Sequence, residues 1–499
     1  MMDGKSRTTL ALLLLAVGCS DTPVGGESPQ GEGPPDAAER PRLPVGVGDT
    51  YQDAGDGGNR AESGAVCARS TETALLPQDA LVTPSISFED PGSANAAYYT
   101  SLSVVISAAV ELWSRKLVTA APINLKIVVS FSSSGTASSA STTATLIGTR
   151  AGVSIFEQGA ATKFRTGSRG GANANDVSII VSSAFLRTGW WFDPAPLERT
   201  AAVPTDRSDA VSSFLHELDH AFGMSGWLNQ STGASTLPGG DLSAYDANVG
   251  LTAGAFYFTG EQARAVYGGP VPLTLGSYGH YGNVAPRPGD NLQRYLMWGP
   301  FGYNGPVRLD ISELDLAMFR DLGLKTHRDV GSTGAVGRAS LAAKRWALKG
   351  SGAFGTTSDS FQFAYRALEK DGFISGGVLP EKGTSKTAIG GFLIRYGLDA
   401  DASYVGVLRR ESGELVVANR RNRGAPSTLT PLCAIDDTRI KLERVGETVR
   451  GYASRDGTSW GAPLFELPAP PGVAFVGLAS TSGIPGTLAG FGFDDVVGL

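Results

Sequence analysis

The stretch FLHELDHAFG, residues 214–223, decides how this sequence is interpreted. Its two histidines are four residues apart, so on a helix they differ by about 40 degrees around the axis and project from one face. The residues between and beside them are mostly apolar, which indicates a helix over 208–221 that is at least half buried. Asp206 or Ser208 is available to cap its first amides, and Gly223 stands where the helix would end.

This pattern predicts a metal site. His216 and His220 can bind one zinc ion, and Glu217 can hold a metal-bound water and accept its proton. A catalytic zinc site needs a third protein ligand and one open position. The chain has only four histidines, and we predict His280, in SYGHYG (residues 277–282), as the third ligand. His327 lies beside a predicted linker, and a carboxylate, Asp241 or Asp246, is the alternative ligand.

The surrounding sequence mixes helical and extended patterns. Apolar residues at three-and-four spacing predict a helix over 95–116. Strands are predicted at 123–129 and 177–181, with a weaker one at 153–156, and a closing helix at 311–322 begins near Ser312. We therefore expect an α+β domain over residues 83–328.

The motif and its surroundings resemble the metzincin peptidases. Residues 216–223 match H-E-x-x-H-x-x-G. In the short-spaced families a third histidine follows three residues after that glycine, but Gly226 stands there in this chain. Leishmanolysin-like members insert a segment before the third histidine, which suits His280. Tyr295-Leu296-Met297-Trp298 resembles the Met-turn, and residues 311–323 resemble the final helix of such bacterial peptidases.

The resemblance implies a twisted mixed sheet with an active-site helix, and a zinc-dependent endopeptidase with one catalytic Zn²⁺. Its metal would be held by His216, His220 and His280, with Glu217 as catalytic base, Met297 beneath the metal, and a protein or peptide as substrate. The strand at 177–181 is then either the edge strand that pairs with substrate or an ordinary buried strand. Four tyrosines are either oxyanion donors or packing residues: Tyr278, Tyr281, Tyr295 and Tyr303.

The pattern changes after a break at 329–337. Short alternating strands separated by turn residues predict an all-β sandwich or jelly roll over 338–499. Segments such as FQF (361–363), GGFLIR (390–395) and GYASRDGTSW (451–460) resemble concanavalin-like and laminin-G-like sandwiches. That resemblance implies an accessory domain that binds a glycan or another cell-surface ligand. The arginine pairs at 409–410 and 420–421 are expected on solvated strand faces.

The N-terminus carries an export signal. Lys5 and Arg7 precede a short apolar run, and Ala16-Val17-Gly18-Cys19 resembles a bacterial lipobox. We predict a lipoprotein signal peptide over 1–18, lipidation of Cys19, and a disordered tether over 19–82 that is rich in Gly, Pro and acidic residues. The protein is expected to be exported, contacting the membrane only through its lipid anchor. Cys67 and Cys433 either pair or remain free.

Composition restricts the remaining functions. The net charge of -6 and the lack of a long basic run argue against nucleic-acid binding. The main hypothesis is an exported zinc endopeptidase with a binding sandwich. Its rival is a non-catalytic, lectin-like surface lipoprotein with a degenerate peptidase scaffold. A third reading is a zinc hydrolase that acts on something other than peptide bonds.

Overall fold

The computed structural model describes residues 73–74, 76, 81–168, 171–282, 292–299, 306–355, 357–432 and 439–499. The predicted signal peptide, Cys19, Cys67, Tyr303 and Cys433 lie outside the described residues. Two bodies of secondary structure follow one another along the chain: a mixed helix-and-strand region up to about residue 325, and a β-sandwich after it.

The first region has six α-helices and thirteen strands among its described residues. The helices are α1 (Tyr99–Ser114), α2 (Gly159–Thr166), α3 (Ser183–Thr188), α4 (Ala210–Phe222), α5 (Glu261–Tyr267) and α6 (Glu313–Asp321). The strands are β1 (Val82–Glu89), β2 (Ile123–Ser132), β3 (Ala137–Ser141), β4 (Ala144–Arg150), β5 (Val153–Gln158), β6 (Val177–Ser182), β7 (Trp190–Trp191), β8 (Ser208–Asp209), β9 (Leu242–Ser243), β10 (Val249–Thr252), β11 (Ala255–Phe258), β12 (Val271–Thr274) and β13 (Ser277–Tyr281).

The main sheet of this region has the strand order β1-β2-β6-β3. Strands β1, β2 and β6 are parallel, and β3 runs antiparallel to β6 at the edge. The interpretation of residues 177–181 as an edge strand is therefore wrong, because β6 pairs on both sides and Val177, Ile179 and Val181 are fully buried. The alternative, an ordinary buried strand, describes β6.

Helices α1 and α4 pack together, and the indole of Trp113 joins them. Its Nε1 donates to the carbonyl of Leu215 at 3.0 Å, and its ring meets Phe222 and Phe319 edge-on at 6.0 and 5.1 Å. Helix α4 is capped by Asp209, whose carboxylate accepts the amide of Ser212 at 3.1 Å, and not by either predicted residue. This packing fixes the orientation of the helix that carries both histidines of the motif.

The second region is a β-sandwich, as predicted. Its strands are β14 (Thr326–Val330), β15 (Arg338–Ala342), β16 (Arg345–Gly352), β17 (Phe361–Leu368), β18 (Gly372–Pro380), β19 (Ile389–Arg395), β20 (Tyr404–Arg410), β21 (Leu415–Arg420), β22 (Thr428–Leu432), β23 (Arg439–Val445), β24 (Thr448–Ser454), β25 (Phe465–Pro468), β26 (Ala474–Thr481) and β27 (Ile484–Val497). They form two seven-stranded sheets, ordered β14-β17-β26-β19-β20-β21-β22 and β15-β16-β27-β18-β23-β24-β25.

A buried ion network lies at one end of the first of these sheets. The Asp359 carboxylate accepts from Arg420 Nη1 and Nη2 at 2.7 and 2.8 Å and from Arg395 Nη1 at 3.2 Å. The side chains of all three are fully buried. Arg409 is also only 2% exposed. The expectation of solvated faces is therefore wrong for Arg409 and Arg420, because their long side chains turn into the protein and find acceptors there.

One of the contacts between the two regions is made by the segment that follows α1. The short segment Leu117–Thr119 forms β-bridges with Thr326 of β14 and Ser340 of β15, so it spans the edges of both sandwich sheets. Between those bridges the side chain of Val118, 4% exposed, packs into the sandwich core. The side chain of Val118, from the first region, is thus part of the hydrophobic core of the sandwich.

We expect Val118→Ala to lower the free energy of unfolding of the full chain by about 2 kcal/mol, because it leaves a cavity in the sandwich core. Urea denaturation would measure the change. Val104→Ala is the matched control, because Val104 is 48% exposed on α1, and we expect it to leave the transition nearly unchanged. Equal effects from the two substitutions would contradict the packing described for Val118.

Candidate metal centre

The structure brings the three predicted histidines together. His216 and His220 project from α4, and His280 approaches from β13. The Nε2 atom of His280 lies 3.1 Å from Nε2 of His216 and 3.1 Å from Nε2 of His220. Each of the three can offer one ligand atom, all within 4.8 Å of one another. Three imidazoles from two distant segments therefore converge on one point.

The outer nitrogen of each ring is fixed by an oxygen atom of the chain. His216 Nδ1 lies 2.9 Å from the carbonyl of Leu296, and His220 Nδ1 lies 2.8 Å from that of Met224. His280 Nδ1 lies 2.9 Å from Ser277 Oγ. When Nδ1 donates its proton to such an oxygen, the lone pair of Nε2 is directed into the cluster, as metal binding requires.

Burial keeps the three rings neutral. Loss of hydration lowers the pKa of His216 to about 3 and that of His220 to about 4, and it holds the pKa of His280 well below its usual value. Neighbouring imidazoles add to the effect for His216 and His280. Neutral imidazole is the form that binds a metal ion, so the cluster is ready to bind at neutral pH.

Glu217 is buried beside the cluster, with a 3% exposed side chain. Among the described residues its Oε2 atom has no hydrogen-bond partner. Burial raises the pKa of Glu217 to about 8, and the nearby Ser139 side chain opposes that rise. The Ser139 hydroxyl donates its one hydrogen to the Glu217 carbonyl, which ties the edge strand β3 to α4. A buried carboxyl oxygen without a partner is costly to keep unless a ligand or water uses it.

Neither predicted carboxylate joins the ligand cluster, which consists of histidines alone. Asp246 is occupied elsewhere: its carboxylate accepts the Trp227 and Ser243 amides at 2.8 and 3.0 Å and the Tyr278 hydroxyl at 2.8 Å. This network also explains the glycine at 226. A Cβ atom there would fall 2.0 Å from Asp246 Oδ1 and 2.3 Å from the Tyr278 hydroxyl, so no side chain fits.

The predicted Met-turn lies next to the ligand segments. Met297 is fully buried, and its carbonyl accepts the Tyr281 amide at 2.6 Å. The preceding residue, Leu296, supplies the oxygen beside His216 Nδ1. The turn therefore contacts the cluster through the Leu296 carbonyl, and Met297 is hydrogen-bonded to the residue that follows His280.

The tyrosines near the site serve packing and internal hydrogen bonds. The Tyr278 hydroxyl donates to Asp246, and the Tyr281 hydroxyl donates to Asp315 at 2.6 Å. Tyr295 is partly buried and meets the Tyr281 ring edge-on at 5.9 Å. The described tyrosines thus support the packing alternative.

Sequence reasoning missed the residues that support the ligands. Ser277 sits three positions before His280, and its hydroxyl faces the ring, yet a serine in a tight turn has no distinctive pattern. Asp315 is also fully buried, and its carboxylate holds the Ser312 amide at 2.7 Å as well as Tyr281. The S-x-x-D spacing of Ser312 and Asp315 is a readable helix-capping signal, but its link to Tyr281 is not local.

Space beside the histidines is small. A cavity of about 20 Å³ adjoins His220 and His280. Its other walls are Ser139, Met224, Ser225, Gly226, Gln230, Tyr278 and Gly279. That volume holds about one water-sized group. His216, Glu217 and His280 are each no more than 3% exposed, so the cluster is nearly closed.

Comparisons with solved structures return proteins that each align with about a third of this chain. No family profile and no curated protein matches the chain. A functionally unknown Saccharomyces cerevisiae protein aligns with 35% of this chain and 94% of its own, at 13% identity and TM-score 0.27. A lichenase from a mouse hindgut metagenome aligns with 34% of this chain and 91% of its own, at 9% identity and TM-score 0.24. The Emp47p carbohydrate recognition domain aligns with 32% of this chain and 83% of its own, at 12% identity and TM-score 0.21.

These comparisons correct the family prediction. The similar structures are sandwich proteins, several of them glucanases or other glycosidases, and not metzincin peptidases. The predictions of metzincin membership and of a zinc metalloendopeptidase are therefore wrong, and a protein or peptide substrate has no support. The low TM-scores assign no activity to this chain.

Proposed function

We propose that His216, His220 and His280 hold one zinc ion and that the protein is a zinc-dependent hydrolase of carboxylic esters. The observations that carry this proposal are the convergence of three buried Nε2 atoms and an unpartnered carboxyl oxygen on Glu217, the residue that follows His216 in α4. The proposal includes export and lipidation at Cys19, which the N-terminal sequence predicts.

The residues fit zinc in number and chemistry, and two of the three separations between ligand atoms suit one zinc ion. Two imidazole nitrogens that bind one tetrahedral zinc at 2.0–2.1 Å lie about 3.3 Å apart, close to the 3.1 Å separations of His280 from the other two rings. Structural zinc sites close with four protein ligands, whereas catalytic sites have three and an open position. Three histidines make up the cluster found among the described residues, which favours the catalytic type.

The reaction then depends on how the chain moves a proton. Zinc, when bound, lowers the pKa of water toward neutrality and polarises a carbonyl oxygen. Glu217 Oε2 is the group that takes a proton from the attacking water and returns it to the leaving alkoxide. Burial of Glu217 favours the first step, because a carboxylate away from bulk water binds a proton more tightly. The second step is favoured because the departing alkoxide is a much stronger base than a carboxylate.

The carboxylates around the cluster favour ester over glycosidic chemistry. Glycoside hydrolysis usually needs two carboxyl groups that flank the bond. Glu217 supplies one. Asp246 is held by its own hydrogen bonds, and Asp219 is fully buried next to Asp315, whose charge helps to raise the pKa of Asp219. One carboxylate with one metal is sufficient for water addition to an acyl carbon.

A second candidate is a non-catalytic surface protein whose sandwich binds a glycan. The nearly closed cluster favours it, because a buried zinc ion can serve the fold alone. The two candidates differ in one measurement. Zinc-loaded protein that hydrolyses p-nitrophenyl acetate, and stops when zinc is removed, supports the hydrolase; bound zinc with no hydrolysis of any ester supports the binding protein.

We expect His280→Ala to reduce bound zinc from one ion per chain to below about 0.1 after dialysis, because two histidines alone do not complete a zinc site. Elemental analysis would measure the metal. His327→Ala is the matched control, since it also removes a buried imidazole but lies outside the cluster. Full zinc content in His280→Ala would remove His280 from the site.

A further inference from the structure

A cavity of about 490 Å³ lies at the seam between the first region and the sandwich. Its walls include Glu261 of α5 and Arg320 of α6 on one side, and Trp346 of β16 and Arg366 of β17 on the other. Pockets for small molecules typically measure about 300–1,000 Å³ and often occur where two domains meet. None of the wall residues belongs to the histidine cluster. The cavity therefore has the size and the position of a separate ligand site.

Two cations in the wall, Lys325 and Arg366, have hydrogen-bond donors to spare; they are called the cation pair below. Lys325 Nζ carries three N–H groups and donates to the backbone oxygen of Leu499 at 2.7 Å. Arg366 Nε donates to the Gly498 carbonyl at 2.7 Å, and Nη1 donates to the Ala367 carbonyl at 3.2 Å. Among the described residues, neither cation forms an ion pair with a side-chain carboxylate, and Arg366 Nη2 donates to no protein atom.

The positive charge of the cation pair is poorly compensated. Both side chains are half-buried. Burial lowers the pKa of Lys325, and the charge of Arg366 lowers it further. Burial also lowers the pKa of Arg366, and the charge of Glu261 opposes that effect. Two neighbouring cations that have lost part of their hydration are costly to keep together. A negative group between them would stabilise both.

The other charged groups in the wall have less to offer a ligand. Arg320 Nη2 donates to Glu313 Oε1 at 2.6 Å, so its charge is already neutralised. The Asp321 carboxylate accepts two backbone amides at the start of α5, both at 2.9 Å. Three basic and two acidic side chains line the cavity, and Glu261 is the acid that remains without an ion-pair partner among the described residues. Positive charge is therefore in excess at the cation pair.

We propose that this cavity binds a small molecule through an anionic group, a phosphate or a carboxylate, held by Lys325 and Arg366. Both anions accept several hydrogen bonds at once, which suits a guanidinium fork beside an ammonium group. Walls from both regions surround the ligand, so its binding would stabilise their packed arrangement. The proposal is independent of zinc and of ester hydrolysis.

Isothermal titration calorimetry of the full chain with inorganic phosphate and, separately, with acetate tests the proposal. We expect saturable binding, and the tighter probe identifies the anionic group. Lys325→Met and Arg366→Met should each weaken binding by about 10-fold or more, because each removes a charged hydrogen-bond donor. Arg264→Met is the matched control. It removes the same charge from α5, where Arg264 is 44% exposed and outside the cavity wall, and its affinity should equal that of the wild type.

Two results of the titration would overturn the proposal. One is the absence of saturable binding by either probe. The other is an equal loss of affinity in all three variants, which would show general attraction of anions to a positive surface. Neither result bears on zinc content or ester hydrolysis, so a failure here is distinct from a failure of the proposed function.

Urea denaturation separates anion binding from a purely structural role. Lys325→Met removes a half-buried cation that has no acid partner, so without anion its midpoint should not fall below that of the wild type. Phosphate at about ten times its Kd should raise the midpoint of the wild type and of Arg264→Met, but not that of Lys325→Met. A lower midpoint for Lys325→Met, with the same response to phosphate as the wild type, would mean that Lys325 only fixes the chain at Leu499, and the proposal would fail.

Discussion

Replacing Glu217 by glutamine is expected to reduce zinc-dependent hydrolysis of p-nitrophenyl acetate by about 10²–10⁴-fold, the usual contribution of a positioned general base. The amide has nearly the shape of the carboxyl group but cannot accept the proton of the attacking water. Zinc content should stay at one ion per chain, because Glu217 is not a member of the ligand cluster. Steady-state kinetics and elemental analysis on the same sample would measure both.

Glu111→Gln is the matched control for this variant. It makes the same chemical change on α1, where Glu111 is partly exposed and pairs with Arg115 at 3.0 Å, so activity should equal that of the wild type. Two results would contradict the role of Glu217: a variant that keeps the wild-type rate, or one that loses zinc and activity together. The second would mean that the side chain maintains the site and does not move a proton.

Local pattern was sufficient to predict that two of the three clustered histidines share one face, because a helix has a fixed repeat. Four-residue spacing places His216 and His220 on one face whatever the rest of the chain does. The sheet order was not predictable in this way. Strand β3, ASSAS at 137–141, has no strongly apolar pattern, and its position beside β6 depends on pairing with residues about forty positions away. The sequence therefore leaves open whether the apolar strand 177–181 lies at the edge or inside the sheet, and the structure shows it inside.

The H-E-x-x-H motif predicts how its own side chains are placed, but not the fold or the function of the whole protein. Residues 214–223 predict where two imidazoles point, but they specify neither the family nor the bond that is cleaved. The fit of the third ligand depends on Gly226, Asp246 and Tyr278, which meet only after the chain has folded. The buried ion network around Asp359 was also not predictable from local sequence. Alternating hydrophobicity predicts the strands of the sandwich, whereas the groups that accept hydrogen bonds from a buried arginine come from separate loops.

We expect Asp359→Ala to lower the free energy of unfolding by about 3–5 kcal/mol, the largest stability change among the variants considered. Removal of one partner from a buried ion network leaves the remaining charges without compensation. Asp359 is the shared acid of Arg395 and Arg420, and all three side chains are fully buried. Cation–π contacts of both arginines with the Tyr404 ring, at 5.3 and 5.4 Å, remain but cannot replace a carboxylate.

The control is Asp401→Ala, which breaks an aspartate–arginine pair on the surface of the same domain. Asp401 lies 3.0 Å from Arg423, and the two side chains are 39% and 63% exposed. Water and salt screen such a pair, so the urea midpoint should not change measurably. A midpoint for Asp359→Ala that matches this control would mean that Arg395 and Arg420 reach water in solution. The argument for a buried network would then fail, because the energetic cost arises only where the guanidinium groups have no access to solvent.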